Sequence, residues 1–318
     1  MSILTRPRLL AGATVALALA GAIHYLGPAR ADERGGSAVS ELRPADTKAS
    51  NLITGDGQSQ PQTMEEFLTD VTTDVDAYWE KVFQATGLPQ PRVSYDWIPA
   101  GMTVSSVCGG ESGQLGDTAA AYCPGDDTIY ISQQFASDIY DGSLDHALPG
   151  SSQGYGRTAG DFAVAYIVAH EYGHQIQDEL GLYDRYGQEL PTMDFELQAD
   201  CLAGTWAKDA ADNGRLEDGD VQEALDAALA VGDFDTSNPG HHGTPQQRAD
   251  AWNGGFESGD PSACSSYLDP ANLDDGSGAA QTDVPQAQDP SYPGDGTGYG
   301  LREQQAAYEH RGVAAVRG

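Results

Sequence analysis

Basic residues are scarce: 16 Lys and Arg stand against 48 Asp and Glu in 318 residues, a formal net charge of −32 at pH 7. A protein that grips nucleic acid through its phosphates needs a basic face, and one that docks on anionic lipid needs a basic patch. The shortage excludes the first class and argues against the second. No C-x-x-C pair occurs, which argues against a zinc ribbon. No segment satisfies the EF-hand pattern D-x-[DN]-x-[DN]-G-x5-E, so the acids read as a solvated surface and calcium binding stays open. Internal repeats are absent too. What is present suffices for one substantial core, with 39% apolar and 8% aromatic residues. The 39 Gly and 17 Pro exceed what one compact fold uses and point to linker or tail segments.

The N-terminus has the pattern of an export signal. Arg6 and Arg8 precede an unbroken run of apolar and small residues, Leu9 to Ile23. Gly27-Pro28 then breaks a helix, and Ala29-Arg30-Ala31 has the small-x-small cleavage pattern. The expectation is a signal peptide over 1–31, cleavage after Ala31, and a secreted or extracytoplasmic protein without membrane attachment. The competing reading is an uncleaved, outward-facing membrane anchor, since Leu9 to Ala29 carries no formal charge. His24 and the Gly-Pro break count against it. No cysteine lies near the cleavage site to accept a lipid.

Residues 32–62 are polar, rich in Ser, Gly, Gln and Asp, and read as a flexible spacer. From residue 269 onward large aliphatics are sparse and Pro, Gly, Gln and Asp abound, so 269–318 is expected to be a disordered acidic tail. The folded domain is therefore 63–268. Its four cysteines, Cys108, Cys123, Cys201 and Cys264, read as two disulfides in an exported chain. Three pairings exist. Cys108–Cys123 closes the shortest plausible loop and leaves Cys201–Cys264, but the sequence does not choose.

Within the domain a first helix opens with a capping box, Thr63 and Glu66, and runs to Gly87. Strands are expected near Pro91–Ile98, Ala119–Cys123 and Thr128–Ser132, the last two joined by the turn Pro124-Gly125-Asp126-Asp127. After a Gly/Ser-rich loop, helices follow at about Ala159–Leu180, Asp194–Asp212 and Asp220–Val231. A fourth opens at Thr244-Pro245, with Arg248, Trp252 and Phe256 on one face. Phe162, Tyr166, Ala169, Gly173, Ile176 and Leu180 form the stripe expected to bury the Ala159–Leu180 helix.

That helix contains His170-Glu171-Tyr172-Gly173-His174. Positions i and i+4 share one helix face about 5–6 Å apart, so two imidazoles can chelate one ion there. Glu171, adjacent to the first histidine, reaches a metal-bound water. Chance supplies only about 0.01 copies of this spacing in a chain with so few histidines, which makes the motif informative. A bland pair of surface histidines is the alternative.

A catalytic zinc needs a third protein ligand and one open position. The metzincin spacing fails, because Gln177 and Leu180 stand where that pattern requires Gly and His. Glu196 in the next helix is the better candidate. Asp200 lies one turn beyond and can accept the other ring N–H of a ligand histidine. An acidic surface face is the alternative. Gly181, Gly187 and Pro191 suit the reversal that brings the two helices antiparallel.

HEYGHQIQ at 170–177, ELQADCLAGTW at 196–206 and HGTPQQRADAWNGGF at 242–256 resemble the bacterial neutral zinc metallopeptidase family. The YCPGDD turn and the strand around Ile129-Tyr130-Ile131 fit as well. The resemblance covers about Thr63 to Tyr267, with spacer and tail outside it. It implies one zinc ion on His170, His174 and Glu196, with Glu171 as catalytic base and cysteines where members tend to have them. It also implies a zincin-like α+β fold: a small, mostly antiparallel sheet packed on the active-site helix, and a mainly helical C-terminal half.

His242, just before a helix N-terminus, is a candidate donor to a developing oxyanion, or a turn or core residue. Tyr155 and Tyr186 are weaker candidates, and Gln177 is expected behind His174. The activity expected is zinc-dependent hydrolysis of peptide or protein substrates, which would lie extended along the edge of strand Thr128–Ser132. The alternatives are a non-catalytic zinc-containing binding protein and a cell-wall peptide or amide hydrolase.

Overall fold

A computed structural model describes residues 63–187 and 189–268. The expected signal peptide (1–31), spacer (32–62) and acidic tail (269–318) all lie outside the described residues. Helix α1 (Met64–Thr86) begins at the capping box: Thr63 Oγ1 accepts the Glu66 N–H, and the Glu66 carboxylate accepts the Thr63 N–H at 2.9 Å. It ends on Gly87 in the left-handed region, φ 74°. Phe67, Leu68, Val71, Val75, Trp79 and Phe83 are buried along its inner face.

Three strands form the main sheet, β1 (Ser94–Ile98), β4 (Ala120–Cys123) and β5 (Thr128–Ser132), in the order β1-β5-β4. Strands β2 (Val104–Ser105) and β3 (Gln114–Leu115) make a separate antiparallel pair. β4 and β5 run antiparallel, as their tight turn requires. β1 runs parallel to β5, Ser94 beside Thr128 through Ile98 beside Ser132. The sheet is therefore mixed, not mostly antiparallel. The turn at 124–127 fixes only one of the two pairings. All five residues of β5 are buried, and such a strand belongs in the middle of a sheet. β5 consequently has hydrogen-bonded neighbours on both sides and no edge to offer a substrate, which corrects the expectation from sequence.

Helix α2 (Gln133–Tyr140) follows β5 directly, with Ser132 Oγ accepting the Gln134 and Phe135 N–H groups. Then come α3 (Asp161–Glu179), the short α4 (Leu182–Tyr186), α5 (Thr192–Asp212), α6 (Asp220–Val231), α7 (Pro245–Ser258) and a 3-10 segment, Pro261–Leu268. The fold is α+β, with a small mixed sheet and a mostly helical C-terminal half. Helix α3 is its axis. Sixteen of its 19 residues are buried, so the helix is enclosed on all sides, whereas the sequence pattern implied one stripe. Leu180, placed in that stripe, is 44% exposed just past the helix end.

Small residues let the helices close up. A Cβ on Gly173 of α3 would stand 3.0 Å from the Ala199 backbone of α5. One on Gly255 of α7 would stand 1.9 Å from the Cys201 carbonyl oxygen, and one on Gly204 of α5 would stand 2.1 Å from the Trp252 carbonyl oxygen. Both disulfides form in the pairing that the shortest loop favours. Cys108–Cys123 ties the β2–β3 ribbon to β4, and Cys201–Cys264 ties α5 to the final 3-10 segment.

Candidate metal centre

The close passage at Gly173 and Ala199 sets the imidazoles of α3 against the carboxylate of α5. His170 Nε2 lies 3.2 Å from Glu196 Oε2, and His174 Nε2 lies 3.4 Å from Glu196 Oε1. Ligand atoms of the three residues all fall within 4.8 Å of one another, and His170 and Glu196 are buried. Bonds of about 2.0–2.1 Å in a tetrahedron give ligand–ligand edges of roughly 3.3 Å, so the donor set fits zinc in both chemistry and span.

Each imidazole is turned by a partner at its other nitrogen. His170 Nδ1 lies 2.9 Å from Asp200 Oδ1, as the i, i+4 relation of Glu196 and Asp200 implies. His174 Nδ1 lies 2.9 Å from Gln177 Oε1 and 3.1 Å from the Tyr183 hydroxyl. Gln177 is itself anchored, donating from Nε2 to the Phe195 carbonyl at 2.7 Å. With Nδ1 occupied in both rings, the two Nε2 atoms point to Glu196.

Behind His170 stands Arg248 of α7, which the sequence puts on one face with Trp252 and Phe256 without giving it a task. It is 2% exposed. Nε donates to Asp200 Oδ2 at 2.7 Å, Nη2 donates to Asp200 Oδ1 at 2.9 Å, and Nη2 lies 3.2 Å from His170 Nδ1. The Tyr166 hydroxyl adds a 2.7 Å bond to Asp200 Oδ1. A lone arginine recurring with Trp252 and Phe256 at helical spacing was the available signal, since a buried guanidinium requires an anionic partner. Tyr183, Tyr166 and Arg248 are thus the site residues missing from the sequence reading.

The electrostatics follow. Burial, the largest influence, pushes the His170 pKa down, but Asp200 and Glu196 outweigh it and lift it to about 9. Burial raises Glu196, yet the two imidazoles hold its carboxyl well below the usual range. Asp200 is also raised by burial and brought below its ordinary value by Arg248 and His170.

Glu171 is buried, and its Oε2 accepts the Tyr122 N–H of β4 at 2.8 Å. This bond uses the side of β4 turned away from β5 and fixes the carboxylate between strand and helix. His242 sits in the loop before α7, where its N–H donates to Asp233 Oδ2 at 2.9 Å. The neighbouring Gly243, at φ 101°, packs on α5 and α7: a Cβ there would lie 3.1 Å from Leu197 and 3.3 Å from Arg248. Tyr155 packs its ring on Phe234 at 5.3 Å, and Tyr186 lies beneath the Arg185 guanidinium.

A helix-borne imidazole pair and a carboxylate from the next helix could hold one ion, and the glutamate beside the first imidazole completes the H-E-x-x-H pattern. The chain belongs to the family described as "Putative neutral zinc metallopeptidase", whose model matches residues 11–267. The match starts within the apolar N-terminal run, so it takes in the spacer that the motif resemblance left outside. The chain is 32% identical over 247 residues to "Uncharacterized protein YpfJ" of Escherichia coli (strain K12), covering 68% of this chain and 79% of the relative. It is also 32% identical over 217 residues to "Uncharacterized protein Rv2575" of Mycobacterium tuberculosis (strain ATCC 25618 / H37Rv), covering 61% of this chain and 67% of the relative. No solved structure matches it. Among the described residues no helix is long and apolar enough to cross a membrane.

Proposed function

We propose that the protein is an exported zinc endopeptidase, with His170, His174 and Glu196 as ligands of one zinc ion and Glu171 as general base. The observation that carries this reading is the convergence of both Nε2 atoms on the Glu196 carboxylate at 3.2 and 3.4 Å, with Glu171 on the next residue. When bound, zinc lowers the pKa of a coordinated water and polarises the scissile carbonyl. Glu171 accepts the proton of the attacking water and delivers it to the leaving amine. Its bond to Tyr122 N–H keeps the carboxylate from swinging away from the peptide.

In an antiparallel ladder the backbone groups of alternate residues face opposite sides. Ala120 therefore shares the outward side of β4 with Tyr122, and an extended peptide is read as adding to that outer edge. His242, tethered through Asp233 and adjacent to the Gly243 contact with α5, is assigned to the developing oxyanion. The N-terminal signal pattern and the two disulfides support export.

Metal analysis of the mature protein, paired with a chelator-sensitive peptidase assay, tests the reading. Glu171→Gln should bind zinc and lose nearly all hydrolysis, whereas His174→Ala should lose both. Full activity in Glu171→Gln would overturn the mechanism. Zinc without hydrolysis across a broad peptide library would favour a binding protein, and activity on peptidoglycan but not casein a cell-wall hydrolase.

A further inference from the structure

A second group of acidic side chains lies at the far end of the active-site helix. Asp161 is the first residue of α3, Asp220 is the first residue of α6, and Glu223 lies one turn further along α6. Oxygens of the three carboxylates lie within 4.8 Å of one another, and Asp161 and Asp220 are 6% and 3% exposed. We propose that Asp161, Asp220 and Glu223 bind a calcium ion that clamps the start of α3 to the start of α6.

Hydrogen bonds explain part of the cluster. Asp161 Oδ1 and Glu223 Oε2 both accept the Phe162 N–H, at 3.0 and 3.1 Å, and Asp220 Oδ2 accepts the Glu217 N–H at 2.7 Å. They do not explain Asp161 Oδ2, which is buried without a hydrogen-bond partner among the described residues. A buried carboxylate oxygen left without a donor is costly, and here the strongest charges acting on it, Asp220, Glu223 and Glu217, are acidic as well. A cation resolves both problems at once.

The donor chemistry narrows the choice of ion. All three side chains offer hard carboxylate oxygens, which suit calcium or magnesium and not zinc. Carboxylate oxygens that all lie within 4.8 Å of one another can share one calcium at about 2.4 Å. The cluster is packed close to the main chain: a Cβ on Gly160, which has φ 107°, would lie 2.1 Å from the Glu223 carboxylate. The three donors come from two helices, so no EF-hand pattern could reveal them. The ion is independent of the peptidase reading, and its role is to hold in place the helix that carries His170.

The test uses the full zinc-loaded chain carrying Glu171→Gln, so that self-digestion does not enter, prepared in calcium-free buffer. Millimolar calcium should raise its Tm by about 5 °C, and the same addition should leave Asp220→Asn unmoved. Asparagine keeps an oxygen for the Glu217 N–H, so the variant retains that bond. Terbium supplies a second readout. Phe162 stacks on Trp206 at 5.7 Å, which puts an indole near the cluster. Tryptophan excitation should give terbium emission that saturates at one ion per chain, is displaced by calcium, and is lost in Asp220→Asn. No response to either ion, or an equal response in Asp220→Asn from diffuse binding to the acidic surface, would overturn the proposal.

Discussion

Asp200 and Arg248 meet as a buried two-toothed ion pair, Nε to Oδ2 at 2.7 Å and Nη2 to Oδ1 at 2.9 Å, and the same carboxylate sits 2.9 Å from His170 Nδ1. One side chain therefore balances a guanidinium and aims an imidazole. The pair links α5 to α7 across the back of the triad.

Replacing Asp200 with Asn keeps the shape but leaves the buried Arg248 cation only a 3.6 Å approach to Glu196. The expected loss is about 3–5 kcal/mol of stability, together with roughly 10–100-fold in zinc affinity. Urea unfolding and competition with a chromophoric chelator measure the two. Gln177→Ala should weaken zinc by a similar factor through His174 while leaving stability much nearer the parent, because no buried charge is exposed by it. Equal stability losses in the two variants would contradict this division of labour.

Gly255→Ala pushes a methyl group into the Cys201 carbonyl. Helices that cannot separate must distort, at about 1–3 kcal/mol. The same substitution at Gly181, where an added Cβ meets nothing within 4 Å but φ is 66°, should cost only the smaller left-handed penalty of about 1–2 kcal/mol. Differential scanning calorimetry of the two variants ranks them, and a reversed order would count against the close α5–α7 contact.

Burial raises the pKa of Asp161 to about 8 and that of Asp220 to about 7, reinforced by their acidic neighbours. Both folded values lie above the unfolded ones. The folded chain thus binds more protons than the unfolded chain between about pH 4 and 8, and stability falls as pH rises through that window. Thermal scans of calcium-free protein should show Tm dropping from pH 5 to 8, with a flatter profile in Asp161→Asn, which stays neutral throughout. Identical profiles would refute the assignment.

Much of the architecture could be read from local chemistry. The start of α1 at Thr63, its stop at Gly87 and the Thr244-Pro245 start of α7 follow from capping signals within a few residues. The proximity of His170, His174 and Glu196 was legible too, since the first two share one turn and the third follows in the next helix. What escaped depends on distant partners. The parallel β1–β5 pairing joins segments that no turn connects. Arg248 acquires its meaning only from Asp200, 48 positions away. Helix α2 is short and polar in sequence, and its capping by Ser132 depends on where β5 ends.

At the crossing of α3 and α5 a Cβ on Gly173 would stand 3.0 Å from the Ala199 backbone and 3.2 Å from its methyl group, so a larger side chain there pushes the two helices apart. The spacing of these two main chains sets how closely the imidazoles of α3 approach the Glu196 carboxylate of α5, and on the proposed reading it sets the span that a bound ion bridges.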